Sequence, residues 1–73
     1  MSAMMPVSLC SVGQTVTIKR IKGDEKIQNH LKNLGFVEGS QITVMNKVEN
    51  NVILQVKEAR IAIDHTMAKY VLV

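Results

Sequence analysis

The chain has 73 residues, 47% of them hydrophobic and 21% charged, with a net charge of +3 at pH 7. That length allows one small domain, read as residues 1–73 with about 1–8 a mobile lead-in, and such a domain buries only about 60% of the surface its unfolded chain exposes. One Cys, two His, one Tyr, one Phe and no Trp exclude an internal disulfide framework and a self-contained zinc fold, leaving aliphatic packing to hold the domain. The basic residues are interspersed with acidic ones, as in Lys22-Gly23-Asp24-Glu25 and Lys57-Glu58. A phosphate-binding surface usually shows clustering. The stretch before Lys19 is interrupted by Pro6, Ser8, Ser11, Gly13 and Gln14. It therefore lacks the unbroken apolar run of a signal peptide, and no segment reaches the length of a membrane span. A cytoplasmic setting with Cys10 as a free thiol is the expectation.

In chain order, Gly13 to Gly23 predicts the first strand, with Val16 and Ile18 on one face and an exposed or bulged far end where Lys19 and Arg20 interrupt the pattern. Asp24 caps a helix of about 11 residues whose Ile27, Leu31 and Leu34 form one apolar stripe. Gly35 follows as its left-handed C-terminal cap. Ile42, Val44 and Val48 alternate, Asn50-Asn51 marks a hairpin turn, and Val52, Leu54 and Val56 alternate again with Ile53 opposite. Ile61 to Ile63 makes a short strand, Asp64 caps a single helical turn, and Tyr70 to Val73 closes the chain as a fifth strand. The fold class is mainly β with one inserted helix, five short strands bending into a small barrel.

No catalytic constellation is visible: there is no Walker-type loop, nucleophile elbow, HExxH or paired Cys set. Cys10, His30 and His65 stand in no metal-ligand spacing, and Asp64-His65 is read as a cap rather than an acid–base pair. The five Met residues are scattered, as gap-fillers are. No catalysis, metal site or cofactor is expected. Two features stand out as contact surfaces: the turn Gly35-Phe36-Val37-Glu38-Gly39 with the helix beside it, and Arg60, which opens the otherwise apolar Ile61-Ala62-Ile63.

Leu31-Lys32-Asn33-Leu34-Gly35-Phe36-Val37-Glu38-Gly39-Ser40, Ile42-Thr43-Val44, Arg60-Ile61-Ala62-Ile63, Ala68 and Val71-Leu72-Val73 together resemble the FeoA family. The likeness runs from about Leu9 to the last residue. It implies an SH3-like β-barrel with a helix inserted after the first strand. It also implies an accessory or regulatory role in bacterial ferrous-iron uptake, through association with FeoB, a membrane transporter with a cytosolic GTP-binding domain. The same barrel resembles the C-terminal domain of DtxR-type metal-dependent repressors. Glu38 stands where many members have Pro, and Val48 to Asn51 is shorter than the Gly-Asp-Pro loop many carry. The alternatives are a small basic nucleic-acid-binding barrel using Lys19, Arg20, Lys22, Lys47 and Lys57, and a metal-sensing domain of the repressor kind. Both peptide-groove and base-stacking uses are disfavoured by the scarcity of aromatics. A GTPase-activating role would have to use Arg20 or Arg60.

Overall fold

The computed structural model describes residues 4–73. The first strand forms as expected but breaks in two. β1 (Thr15–Thr17) pairs antiparallel with β3 (Gln41–Val48), and β2 (Arg20–Ile21) pairs instead with β6 (Val71–Leu72). The interruption at Lys19-Arg20 is therefore a corner where the chain changes sheets. Main-chain bonds mark the handover: Ile18 N–H donates to Ser40 C=O at 2.9 Å, and Lys19 N–H to Leu72 C=O at 2.8 Å. A corner of this kind wraps two sheets around one core.

β4 (Asn51–Val56) and β5 (Ala59–Asp64) complete a four-stranded antiparallel sheet in the order β1-β3-β4-β5. There are thus six strands in two sheets among the described residues rather than five, and the hydrogen-bonded ladder ends at β1 and β5 without closing into a barrel. Val52, Leu54 and Val56 point into the core as their alternation predicts, opposite Ile42 and Val44.

The second half of β3 departs from the pattern. Its register against β4 shifts between Val44 and Asn46, a bulge at Met45. An extra residue reverses the alternation beyond it. Lys47 now stands opposite the buried Val52, and Val48, expected beside Ile42 and Val44, is turned out and 45% exposed. The hairpin turn is Glu49-Asn50, one residue earlier than Asn50-Asn51, because Val48 pairs with Asn51. Glu49 carries the positive φ of 53° there.

α1 (Glu25–Asn33) begins at Asp24, whose Oδ1 accepts from Ile27 N–H at 2.9 Å. It ends in two paired bonds: Gly35 N–H donates to Lys32 C=O, and Phe36 N–H to Leu31 C=O, both at 3.0 Å. This is a Schellman cap, with Gly35 at φ 104° and its apolar contact supplied by the fully buried Leu31 and Phe36. α2 (His65–Ala68) is the expected single turn, capped by Asp64 through Met67 N–H at 2.8 Å.

From Met5 onward the expected lead-in belongs to the folded structure, while Met1–Ala3 lie outside the described residues. Met5 exchanges two main-chain bonds with Val73, at 3.0 and 2.8 Å, and Val7 and Cys10 lie in the core. The core cluster joins Val7, Cys10, Ile18, Leu31 and Phe36 to the inner faces of both sheets.

Candidate functional site

The segment Gly35–Gly39 connects α1 to β3, and its geometry is set at both ends. Gly35 is held by the Schellman cap; Gly39, at φ 91°, donates its N–H to Ile18 C=O at 2.8 Å. Between them, Ser40 N–H closes the turn on Val37 C=O at 3.1 Å. Glycine suits both ends because an L side chain strains a left-handed backbone. Phe36 is fully buried and anchors the turn from beneath. Val37 and Glu38 are left facing solvent. The turn thus holds two side chains outward on a fixed frame.

Three shallow concavities border it. Ile21, Gln28, Lys32, Phe36, Val37 and Glu38 line one of about 230 Å³. Gln28 and Lys32 are four residues apart on α1, so they share a face, and Lys32 and Glu38 give the rim one charge of each sign. On the far side, Gly35 and Leu34 adjoin the β4–β5 hairpin at Val56–Ala59. Beyond Gly39 lies a polar groove over the outer face of the four-stranded sheet, with Thr15, Thr17, Ser40, Gln41, Thr43, Gln55 and Lys57. In it, the Thr15 and Thr43 hydroxyls are hydrogen-bonded at 2.9 Å.

Arg60 does not join the turn. It is exposed on β5 opposite Gln55, one residue beyond the hairpin groove, and lines none of the three concavities. The sequence reading sets Arg60 beside the turn and takes in the nearby helix without singling out Gln28 and Lys32, while Ile21 on β2 lies outside it. The spacing of Gln28 and Lys32 is the signal that puts both on the face of that helix beside the turn.

Other sequence candidates are dispersed. Arg20 belongs to β2, Lys57 to the β4–β5 turn, and Lys47 donates its Nζ to Ser8 C=O at 3.1 Å. No described group of three or more His, Cys, Asp or Glu side chains is arranged to hold a metal ion. His30 is exposed on α1, beside Ile27 and Met67, and His65 starts α2. Cys10 is buried, and that burial pushes its thiol up from the ordinary 9.0, a rise the charge of Lys47 partly opposes. Among the described residues, no helix is long and apolar enough to cross a membrane.

Residues 5–73 match the family model of the FeoA domain. The chain belongs to the FeoA family. That family is linked to ferrous-iron transport. An iron uptake regulatory protein described as FeoA superposes with a TM-score of 0.88 at 24% identity, over 96% of this chain and 95% of that one. The FeoA of Stenotrophomonas maltophilia, solved with zinc and described as a procaryotic SH3 domain protein, gives 0.80 at 23% identity, over 92% and 86%. A manganese-dependent transcriptional repressor gives 0.88 at 18% identity, over 96% of this chain but 40% of its own. At these identities the likenesses establish a mainly β, SH3-like fold. None of the curated proteins matches the chain. In FeoA terms, the Leu-Gly-Phe signature is the Schellman cap and its core anchor.

Proposed function

We propose that this FeoA protein is a cytoplasmic accessory component of ferrous-iron uptake, with no catalysis of its own, that binds an FeoB-type membrane GTPase transporter. The observation that carries the reading is the Gly35–Gly39 turn. It is fixed by main-chain bonds at both ends and by buried Phe36 below, yet projects Val37 and Glu38 into solvent. A preformed turn loses little freedom on contact, which favours recognition by a protein surface. Val37 supplies the apolar contact, and Lys32 and Glu38 supply charges for register.

Titration of the isotope-labelled protein with the full-length transporter from the same genome tests this. Amides of Val37, Glu38 and Gly39 should shift or broaden first, and Val37→Asp should weaken binding about tenfold or more with the fold intact. No binding to the intact transporter overturns the reading, and binding indifferent to Val37→Asp overturns its placement on the turn.

A further inference from the structure

From the free edge of β5, we infer that this protein pairs with a second copy of itself, β5 to β5, in a two-fold antiparallel register centred on Ala62. The inference goes beyond the transporter reading and does not rest on it.

Strand β5 is one end of the four-stranded sheet. Exposed edges are ordinarily blunted by short length, charged side chains (Lys above all), Pro, a bulge or a covering element. Among the described residues, the only such device on β5 is its charges, Arg60 and Asp64, which are opposite in sign. The opposite edge, β1, is only three residues long. β5 runs six residues, Ala59-Arg60-Ile61-Ala62-Ile63-Asp64, with no Lys or Pro and an unbroken register against β4. Its alternation shows which backbone groups are free. The two-residue loop makes Val56↔Ala59 a hydrogen-bonded pair, so Leu54↔Ile61 and Val52↔Ile63 are bonded pairs as well. The next bonded position confirms the phase, because His65 N–H donates to Asn50 C=O at 2.7 Å. Arg60, Ala62 and Asp64 therefore direct their main-chain groups away from β4, toward the open edge.

Charge selects the occupant. Centring an antiparallel pair on Ala62 sets Arg60 directly opposite Asp64 of the second copy, and symmetry repeats the contact. All three residues are exposed on the same outer face, so the opposite charges meet as cross-strand neighbours. Ala62 exchanges both N–H···O=C bonds with its counterpart, and each Asp64 N–H donates to the other copy's Arg60 carbonyl. On the inner face, half-buried Ile61 meets Ile63 of the second copy. The contact is isologous and closes at two copies. Asp64 keeps its cap on Met67 N–H, since a carboxylate accepts several bonds.

Sedimentation from micromolar to millimolar loading, with amide exchange at both extremes, tests the pairing. The mass should rise toward the dimer, and the Ala62 and Asp64 amides should exchange freely at low concentration and slow as it rises. Arg60→Glu places like charges opposite each other and should weaken association about tenfold or more. Asp64→Asn retains the cap but not the charge; it should weaken association several-fold and flatten its salt dependence. Sedimentation as a monomer at every loading overturns the pairing, and so does a dimer that Arg60→Glu leaves unchanged. Protection of the Ala62 amide only when another protein is added assigns the edge to that partner and also overturns the self-pairing.

Discussion

Gly23 is the position where the fold tolerates no side chain. Its φ is 99°, and a Cβ there would come within 2.8 Å of Ile27 Cγ2 and 3.2 Å of Tyr70 Cδ1. A left-handed backbone and a clash with the first turn of α1 act together, so Gly23→Ala should cost about 2–3 kcal/mol. In a domain this size that lowers Tm by on the order of 10–20 °C, measurable by calorimetry. Cys10 makes a different demand. Burial holds its thiol above 9.0, so in the window just above that value the folded chain keeps a proton that the unfolded chain releases. Stability is therefore unaffected by this group below pH 9 and falls as pH rises through that window. Denaturant titrations at several alkaline pH values should show a steeper decline for the native protein than for Cys10→Ala.

The two β-hairpins share an unusual choice of residue. Glu49 and Lys57, the first residues of the two-residue turns, sit at φ 53° and 57° with side chains that disfavour that region. Asn adopts it more readily, so Glu49→Asn should stabilise the protein by about 0.5–1 kcal/mol without altering the strands. Urea unfolding should show a higher midpoint with an unchanged slope. The sequence pattern identified the first of these hairpins, the strand after the second turn and α1, because period-two and period-three-to-four apolar spacing reports burial directly. It misplaced the first turn by one residue, and turned Val48 inward, because the bulge at Met45 leaves no mark on composition. A bulge is a register event between two strands, visible only once both are paired. The same event gave Lys47 its reach to Ser8, a contact that spacing along one strand does not encode.

At the scale of the molecule, the mainly β class, the inserted helix and the family were legible, since the Leu-Gly-Phe cap and the Arg-Ile-Ala strand are local signals. The assembly of those pieces was less so. Lys19-Arg20 marks where the first strand breaks, but that the chain passes there from one sheet to the other depends on its neighbours rather than on its own residues. The candidate surface followed the same division: the turn and the helix beside it were readable, whereas the flank on β2 required the fold. Arg60 drew attention as a lone charge on an apolar strand, and its significance depends on an edge that only the strand order reveals.

The reciprocal bonds between Met5 and Val73 and the antiparallel bridge from Pro6 to Leu72 put the two ends of the described chain side by side. Tension applied between those ends would load that pair in a peeling direction, meeting its bonds one after another instead of shearing them together. A tether attached at both ends would therefore open the domain there like a zipper, one bond at a time.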